Sequence, residues 1–232
     1  MASSDKTSDL ATRLLEGDPG LFKEGSVAAN RLGWLRSPHT SEEVLEDLNR
    51  WAESINQGRI VILGMGGSSL GPRVLADFAK ALGRSEREVH VLDSTDPRSV
   101  AAVDTTDTAF IVSSKSGTTT ESHSLFQFFY QRIPKPERFI AITDAGTPLD
   151  SLARELRFKR VFNPPSDVGG RFSIFTEFGL VPAALAGINL VDLCAAAAKT
   201  DPSRWVEIGQ GLGDQARAGV AAVEILCPAG QR

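Results

Sequence analysis

Nothing in this sequence provides a disulfide framework, a metal cluster or a membrane anchor. Of its 232 residues only two are cysteine and three are histidine. Cys194 and Cys227 lie far apart and outside metal-ligand spacing, so both are expected to be reduced thiols. His39, His90 and His123 lack ligand spacing as well, and neither a metal nor another cofactor is expected. An excess of positive charge is also missing. Lys and Arg number 25 against 29 Asp and Glu, a net charge of −4, opposite to the footprint of nucleic-acid or anionic-membrane binding. Apolar runs are short or broken by glycine and proline, and Met1–Asp9 is polar with no apolar signal core. These absences predict a soluble, cytoplasmic chain with no nucleic-acid or membrane partner. They leave room for a small anionic ligand, because backbone dipoles act locally whatever the global charge.

What is present is enough apolar material for a core, at 41% of residues, in one large domain or two small ones. Residues 1–9 read as a disordered lead-in, and 10–40 as short helical pieces cut by Gly17, Pro19, Gly20, Gly25, Gly33 and Pro38. Residues 41–218 read as the main domain, and 219–232 as a tail or the start of a further element. Val44, Leu48, Trp51 and Ile55 recur at helical spacing, with Ser41 as the expected cap and Val44 beginning the buried face.

Short apolar runs then follow at Ile60–Leu63, Val89–Leu92, Ala109–Val112, Phe139–Ile142 and Arg160–Phe162. Helical patterns fall between most of them, at Pro72–Leu82, Thr120–Arg132 and Pro148–Leu156, with a short one at Pro97–Val103. Nearly uniform apolar strands are expected where helices cover both faces of a parallel sheet. The prediction is an α/β three-layer sandwich with a five-stranded parallel sheet. Beyond Thr176 the chain reads as helical through Leu180–Gly187, Leu190–Ala198 and Arg204–Ala218, with Ala221–Cys227 as the start of another strand.

Three polar loops follow predicted strands. Gly64-Met65-Gly66-Gly67-Ser68-Ser69-Leu70-Gly71-Pro72 lets backbone approach a ligand and leads into a helix with free N–H groups, Pro72 suiting its first turn. It lacks the lysine of a triphosphate-binding loop and fails the dinucleotide spacing, and a tight turn with no ligand has the same pattern. Ser113-Ser114-Lys115-Ser116-Gly117-Thr118-Thr119-Thr120-Glu121 offers hydroxyls, an ammonium and a helix start, the groups a phosphate dianion needs. Lys115 points either at that ligand or to solvent. Pro165-Ser166-Asp167-Val168-Gly169-Gly170-Arg171-Phe172-Ser173 pairs two glycines with one arginine, which either stabilises negative charge on a ligand or makes a surface salt bridge. All three loops belong to the edge of an open sheet where ligands bind. His90 reads as a core or sheet-edge side chain. Phe126, Phe128 and Phe129 read as core or dimer-interface packing.

In combination these loops resemble the glucose-6-phosphate isomerase family, over roughly residues 26–218, and specifically its N-terminal sugar-isomerase domain. Asn30-Arg31-Leu32-Gly33-Trp34-Leu35 is similar to the segment leading into that domain in bacterial forms fused behind transaldolase. The resemblance implies a flavodoxin-like topology and a small-molecule sugar phosphate as ligand. It implies phosphate binding by Ser114, Lys115, Ser116 and Thr119, a pocket lined by Gly67, Ser68 and Gly170, and Arg171 stabilising an enediolate. Ser116-Gly117 stands where many members have Thr-Phe, and the glycine is expected to loosen the loop. Ser69 stands where many animal enzymes have aspartate.

The family interconverts glucose 6-phosphate and fructose 6-phosphate by moving a proton between C1 and C2 of the opened sugar. Its base and ring-opening residues belong to the second half of its fold, and nothing here matches the base-bearing motif. Neither Glu121 nor Glu177 is a candidate substitute. The expectation is a catalytically incomplete sugar-phosphate-binding domain, whose partner is a second copy or a complementing C-terminal half. A non-catalytic phosphosugar-sensing module is the alternative, and a structural remnant with an empty pocket the third.

Overall fold

The computed structural model describes residues 2–85 and 87–219. Two helices, α1 (Ala2–Leu15) and α2 (Glu42–Glu53), precede β1 (Arg59–Gly64), α3 (Gly67–Ala81) and β2 (Glu88–Leu92). Next come α4 (Pro97–Ala101), β3 (Thr108–Ser113), α5 (Thr120–Arg132), β4 (Phe139–Ile142), α6 (Pro148–Glu155) and β5 (Arg160–Phe162). Three helices, α7 (Glu177–Leu185), α8 (Leu190–Ala198) and α9 (Pro202–Arg217), complete the described chain. The sheet order is β2-β1-β3-β4-β5, every pairing is parallel, and helices cover both faces. The five predicted strands and the three-layer sandwich are therefore present.

Alternate residues of each central strand serve opposite faces, as strand geometry requires. Ile60 and Ile62 join Leu45, Leu48, Leu75 and Val181 on one side, while Val61 and Leu63 join Val100, Leu125 and Leu149 on the other. The second face is rich in aromatic rings. Phe110 stacks on Phe129 at 4.8 Å and on Phe139 at 5.2 Å, and Phe126 meets Phe139 edge-on at 5.6 Å. Phe126 and Phe129 are thus core residues, while Phe128 lies under the Arg132 guanidinium at 3.4 Å. His90 is exposed on the edge strand β2.

Several local expectations need correction. Residues 2–9 belong to α1, not to a disordered lead-in. That helix packs against α9, more than 180 residues downstream, a partner that no local pattern in so polar a stretch announces. Val44 is 47% exposed, and the buried residues of α2 are Leu45, Leu48 and Ala52, with Ile55 buried just beyond the helix. Ala52 belongs to the core cluster that also holds Val181 of α7 and Leu190 of α8. Pro72 lies inside α3, because the helix starts five residues earlier at Gly67. Ser41 occupies the cap position of α2 but makes no side-chain capping bond. The expected strand at Ala221–Cys227 lies outside the described residues.

Candidate functional site

The site is set by topology before any side chain is considered. In the order 2-1-3-4-5 the chain leaves β1 towards one sheet edge and β3 towards the other, opening a crevice at their C-terminal ends. Both strands run in register to their last residues, Gly64 opposite Ser113. The glycine loop and the serine loop therefore flank the same gap.

Backbone approach dictates the glycines. Gly66 has φ 58° and ψ −120° where it caps α3, a conformation that side chains exclude. A Cβ on Gly67 would lie 2.0 Å from the Gly170 carbonyl oxygen, so the first and third loops touch through main chain at this point. Ser69 is buried and its hydroxyl donates to the Gly66 carbonyl at 3.0 Å, tightening the turn. Gly117 is buried with φ +65°, and a Cβ there would meet Thr147 at 2.6 Å. It locks the serine loop against the β4–α6 connection, contrary to the expected loosening.

In the serine loop the main chain and side chains divide the work. The Ser114 amide donates to the Ile142 carbonyl at 3.0 Å, and its buried hydroxyl lies 2.8 Å from that of Thr119. Thr119 is the N-cap residue of α5, yet its side chain makes no capping bond, which leaves the first-turn N–H groups without that acceptor. Ser116 is exposed, and its hydroxyl accepts from the Thr118 amide at 3.3 Å and pairs with the Thr118 hydroxyl at 3.0 Å. Lys115 lies at the rim of the gap with its ammonium already engaged. Its Nζ lies 2.9 and 2.6 Å from the two Asp144 carboxylate oxygens and 3.3 Å from the Ser166 carbonyl oxygen.

These elements enclose a cavity of about 380 Å³ lined by Arg31, Met65, Gly67, Ser68, Lys115, Ser116, Thr119, Asp144 and Gly170. Six of the eight sequence-predicted residues thus share one wall set. Ser114 stands behind Thr119. Arg171 is not among the lining residues: it is exposed and borders a larger cavity of about 640 Å³ with Leu14, Trp34, Phe172, Phe175 and Trp205. Arg31, Met65 and Asp144 escaped sequence reasoning. Asp144 had a usable signal, a polar turn directly after a buried strand at the same sheet edge. Arg31 had none beyond its place in the segment that carried the resemblance.

Arg31 arrives through a strap on the third loop. Leu32 forms an antiparallel bridge with Val168, and the Gly33 amide donates to the Asp167 carbonyl at 3.1 Å. Arg36 pairs with the Asp167 carboxylate at 2.6 Å, and Arg31 itself donates to the Ser166 carbonyl. Beneath this strap a cavity of about 230 Å³ contains Arg36, Asp167 and Glu177. Burial pushes the Glu177 carboxyl above its usual range. At the opposite, N-terminal ends of β1 and β3 the pKa of the Asp104 carboxyl is lowered to about 2, first by the Thr106 amide and then by Arg59. That cluster ties β1 to the β3 approach and is remote from the crevice.

Among the described residues no group of three or more metal-ligating side chains occurs, and no helix is long and apolar enough to cross a membrane. Comparison with known proteins gives the arrangement a family. The phosphoglucose isomerase family model matches residues 48–203. The chain belongs to the phosphoglucose isomerase family. The glucose-6-phosphate isomerase of Carboxydothermus hydrogenoformans is 32% identical over 216 residues, covering 80% of this chain and 46% of the relative. A hypothetical protein from Thermus thermophilus has the same fold at TM-score 0.69 and 27% identity, over 85% of this chain and 49% of that one. A glucose-6-phosphate isomerase from Chlamydia trachomatis shares the fold at TM-score 0.55 and 24% identity, over 82% of this chain and 39% of that one. The chain spans less than half the length of the curated phosphoglucose isomerase relatives it matches.

Proposed function

We propose that the cavity at the ends of β1 and β3 binds a six-carbon sugar phosphate, and that the chain is the sugar-phosphate-binding part of a glucose-6-phosphate isomerase. The observation that carries this reading is the convergence of Gly67, Ser68, Lys115, Ser116, Thr119 and Gly170 on one cavity. Its volume suits a small ligand. In this reading the phosphate sits over the first turn of α5, taking hydrogen bonds from Ser116, Thr119 and main-chain N–H groups, while Ser114 orients the Thr119 hydroxyl. Gly67 and Ser68 line the sugar side. Arg171, exposed and one residue beyond Gly170, is free to turn towards the reacting carbons and stabilise an enediolate.

The same geometry supports binding without turnover by these residues alone. Proton transfer between C1 and C2 needs a base within hydrogen-bond reach of the carbon-bound proton. Among the described residues, Asp144 is the only carboxylate lining the cavity, and it is held by Lys115. No described histidine lines it, Glu121 is exposed outside it, and Glu177 faces another cavity. A base from another polypeptide segment or subunit, or a purely sensing role, completes the reading.

Calorimetric titration with fructose 6-phosphate, using fructose as control, tests the proposal. Saturable binding of the phosphorylated sugar, weakened about tenfold by Ser116→Ala, is expected, since a hydrogen bond to a charged group contributes about 1.5–3 kcal/mol. Binding without isomerisation supports the incomplete or sensing form. Turnover by the isolated chain defeats it, and no binding at millimolar ligand defeats the site.

A further inference from the structure

We infer that Arg31, not the loop lysine Lys115, supplies the uncompensated positive charge of the anion site. This rests on the sugar-phosphate reading above and specifies its electrostatics. Three charged side chains line the cavity: Arg31, Lys115 and Asp144. Two of them cancel. The Lys115 ammonium is engaged by both oxygens of Asp144, and both side chains are only about one-fifth exposed. A close, partly buried pair of this kind is held together more strongly than a surface pair. An incoming dianion would have to displace Asp144 to use Lys115, leaving a carboxylate partly buried and unpaired beside its own phosphate.

Arg31 carries no such handicap. Among the described residues it forms no ion pair, and its side-chain hydrogen bond goes to a neutral acceptor, the Ser166 carbonyl. A guanidinium has five N–H donors in a planar fork, so one bond to a carbonyl leaves most of them available. The Ser166 carbonyl also accepts from Lys115, which places the guanidinium at the same rim as the ammonium. The backbone beside Arg31 is fixed as well. The Leu32–Val168 bridge and the bond from the Gly33 amide to the Asp167 carbonyl clamp it to the third loop. The Asp167 carboxylate packs directly over Gly33, where a Cβ would lie 2.4 Å from it and the carboxylate would have to move. A clamped strap presenting one free guanidinium loses little chain entropy when it closes on an anion. Arg31 also lies outside residues 48–203, the family match, so the charge reaches the site from the lead-in segment.

The test titrates fructose 6-phosphate and, separately, inorganic phosphate into the full chain, Arg31→Gln and Arg31→Lys, at several salt concentrations. Thermal midpoints are recorded for each protein. Arg31→Gln is expected to weaken both ligands by about tenfold or more and to flatten the salt dependence of affinity. Arg31→Lys keeps the charge and is expected to retain that salt dependence. A purely structural role for the strap would lower the thermal midpoint without flattening the salt dependence. Unchanged affinity in Arg31→Gln, or a loss with the salt dependence intact, overturns the inference and leaves the sugar-phosphate reading standing. Phosphate binding that depends on Arg31 without fructose 6-phosphate binding keeps the inference and removes that reading. Failure of the unaltered chain to bind either anion overturns both.

Discussion

The polar cavity at the strand ends and the apolar cavity beside it contrast in nearly every respect. The apolar one is larger, about 640 against 380 Å³, and its walls of Trp34, Phe172, Phe175 and Trp205 come from the periphery of the sandwich. The polar one is walled by loops that each follow a parallel strand, and its shape depends on main chain meeting main chain at Gly67 and Gly170. The proposed site is therefore the smaller of the two cavities. It is favoured by the topological switch, where the loops after β1 and β3 and the N-terminus of α5 meet. Arg171 lies at the boundary, its backbone continuous with the polar cavity and its side chain against the apolar one.

Substitutions can break this contrast in graded steps. The largest effect is expected from Gly67→Ala, whose Cβ has no room beside the Gly170 carbonyl. Parting the two loops should cost about 1–3 kcal/mol of stability, as overpacking does, and abolish fructose 6-phosphate binding in calorimetry. Thr119→Val keeps the volume but removes the hydroxyl that pairs with Ser114. Its affinity for the sugar phosphate should fall about tenfold, with the melting temperature nearly unchanged. Trp205→Ala probes the other cavity. The side chain is 61% exposed, and ligand affinity should stay within about twofold of the parent. A larger loss would show that the two cavities act as one.

The smallest effect concerns the strap. Burial raises the folded-state pKa of Glu177 above its unfolded value, so ionising it opposes folding. Its contribution to stability is full below the unfolded value, near pH 4, and is lost as pH rises through that value to the folded one. Glu177→Gln removes this loss. Denaturant midpoints should show the variant gaining on the parent as pH goes from 4 to 7, and a gain that shrinks with pH would contradict the assignment.

Parts of this molecule were readable locally. Phe139–Ile142 and Thr120–Arg132 were predicted to the residue, because a four-residue apolar run and a helix bounded by Thr119 and Ile133 carry their own signals. On α2 and just beyond it, Leu48 and Ile55 are buried as expected and Trp51 packs partly buried, while Leu45 takes the place expected for Val44. Val44 and Leu45 are adjacent apolar residues, and only packing against α7 and α8 decides between them. The serine loop was recognisable from composition, but the destination of Lys115 was not. Its partner Asp144 is 29 residues away, and an ammonium beside a dianion and one locked to a carboxylate look alike in sequence.

By itself the sequence determined the strands, the order in which helices alternate with them, and the glycine- and hydroxyl-rich loops at their ends. Those follow from side-chain periodicity and backbone freedom over a few residues. Only the tertiary structure decided which charges meet at the cavity and how they pair. Arg31 reaches it by bonding to Ser166, 135 residues later, while Arg171 falls beside a different cavity. Local propensity cannot set such distances, because they arise from how the parallel sheet stacks its loops and where the strap crosses them.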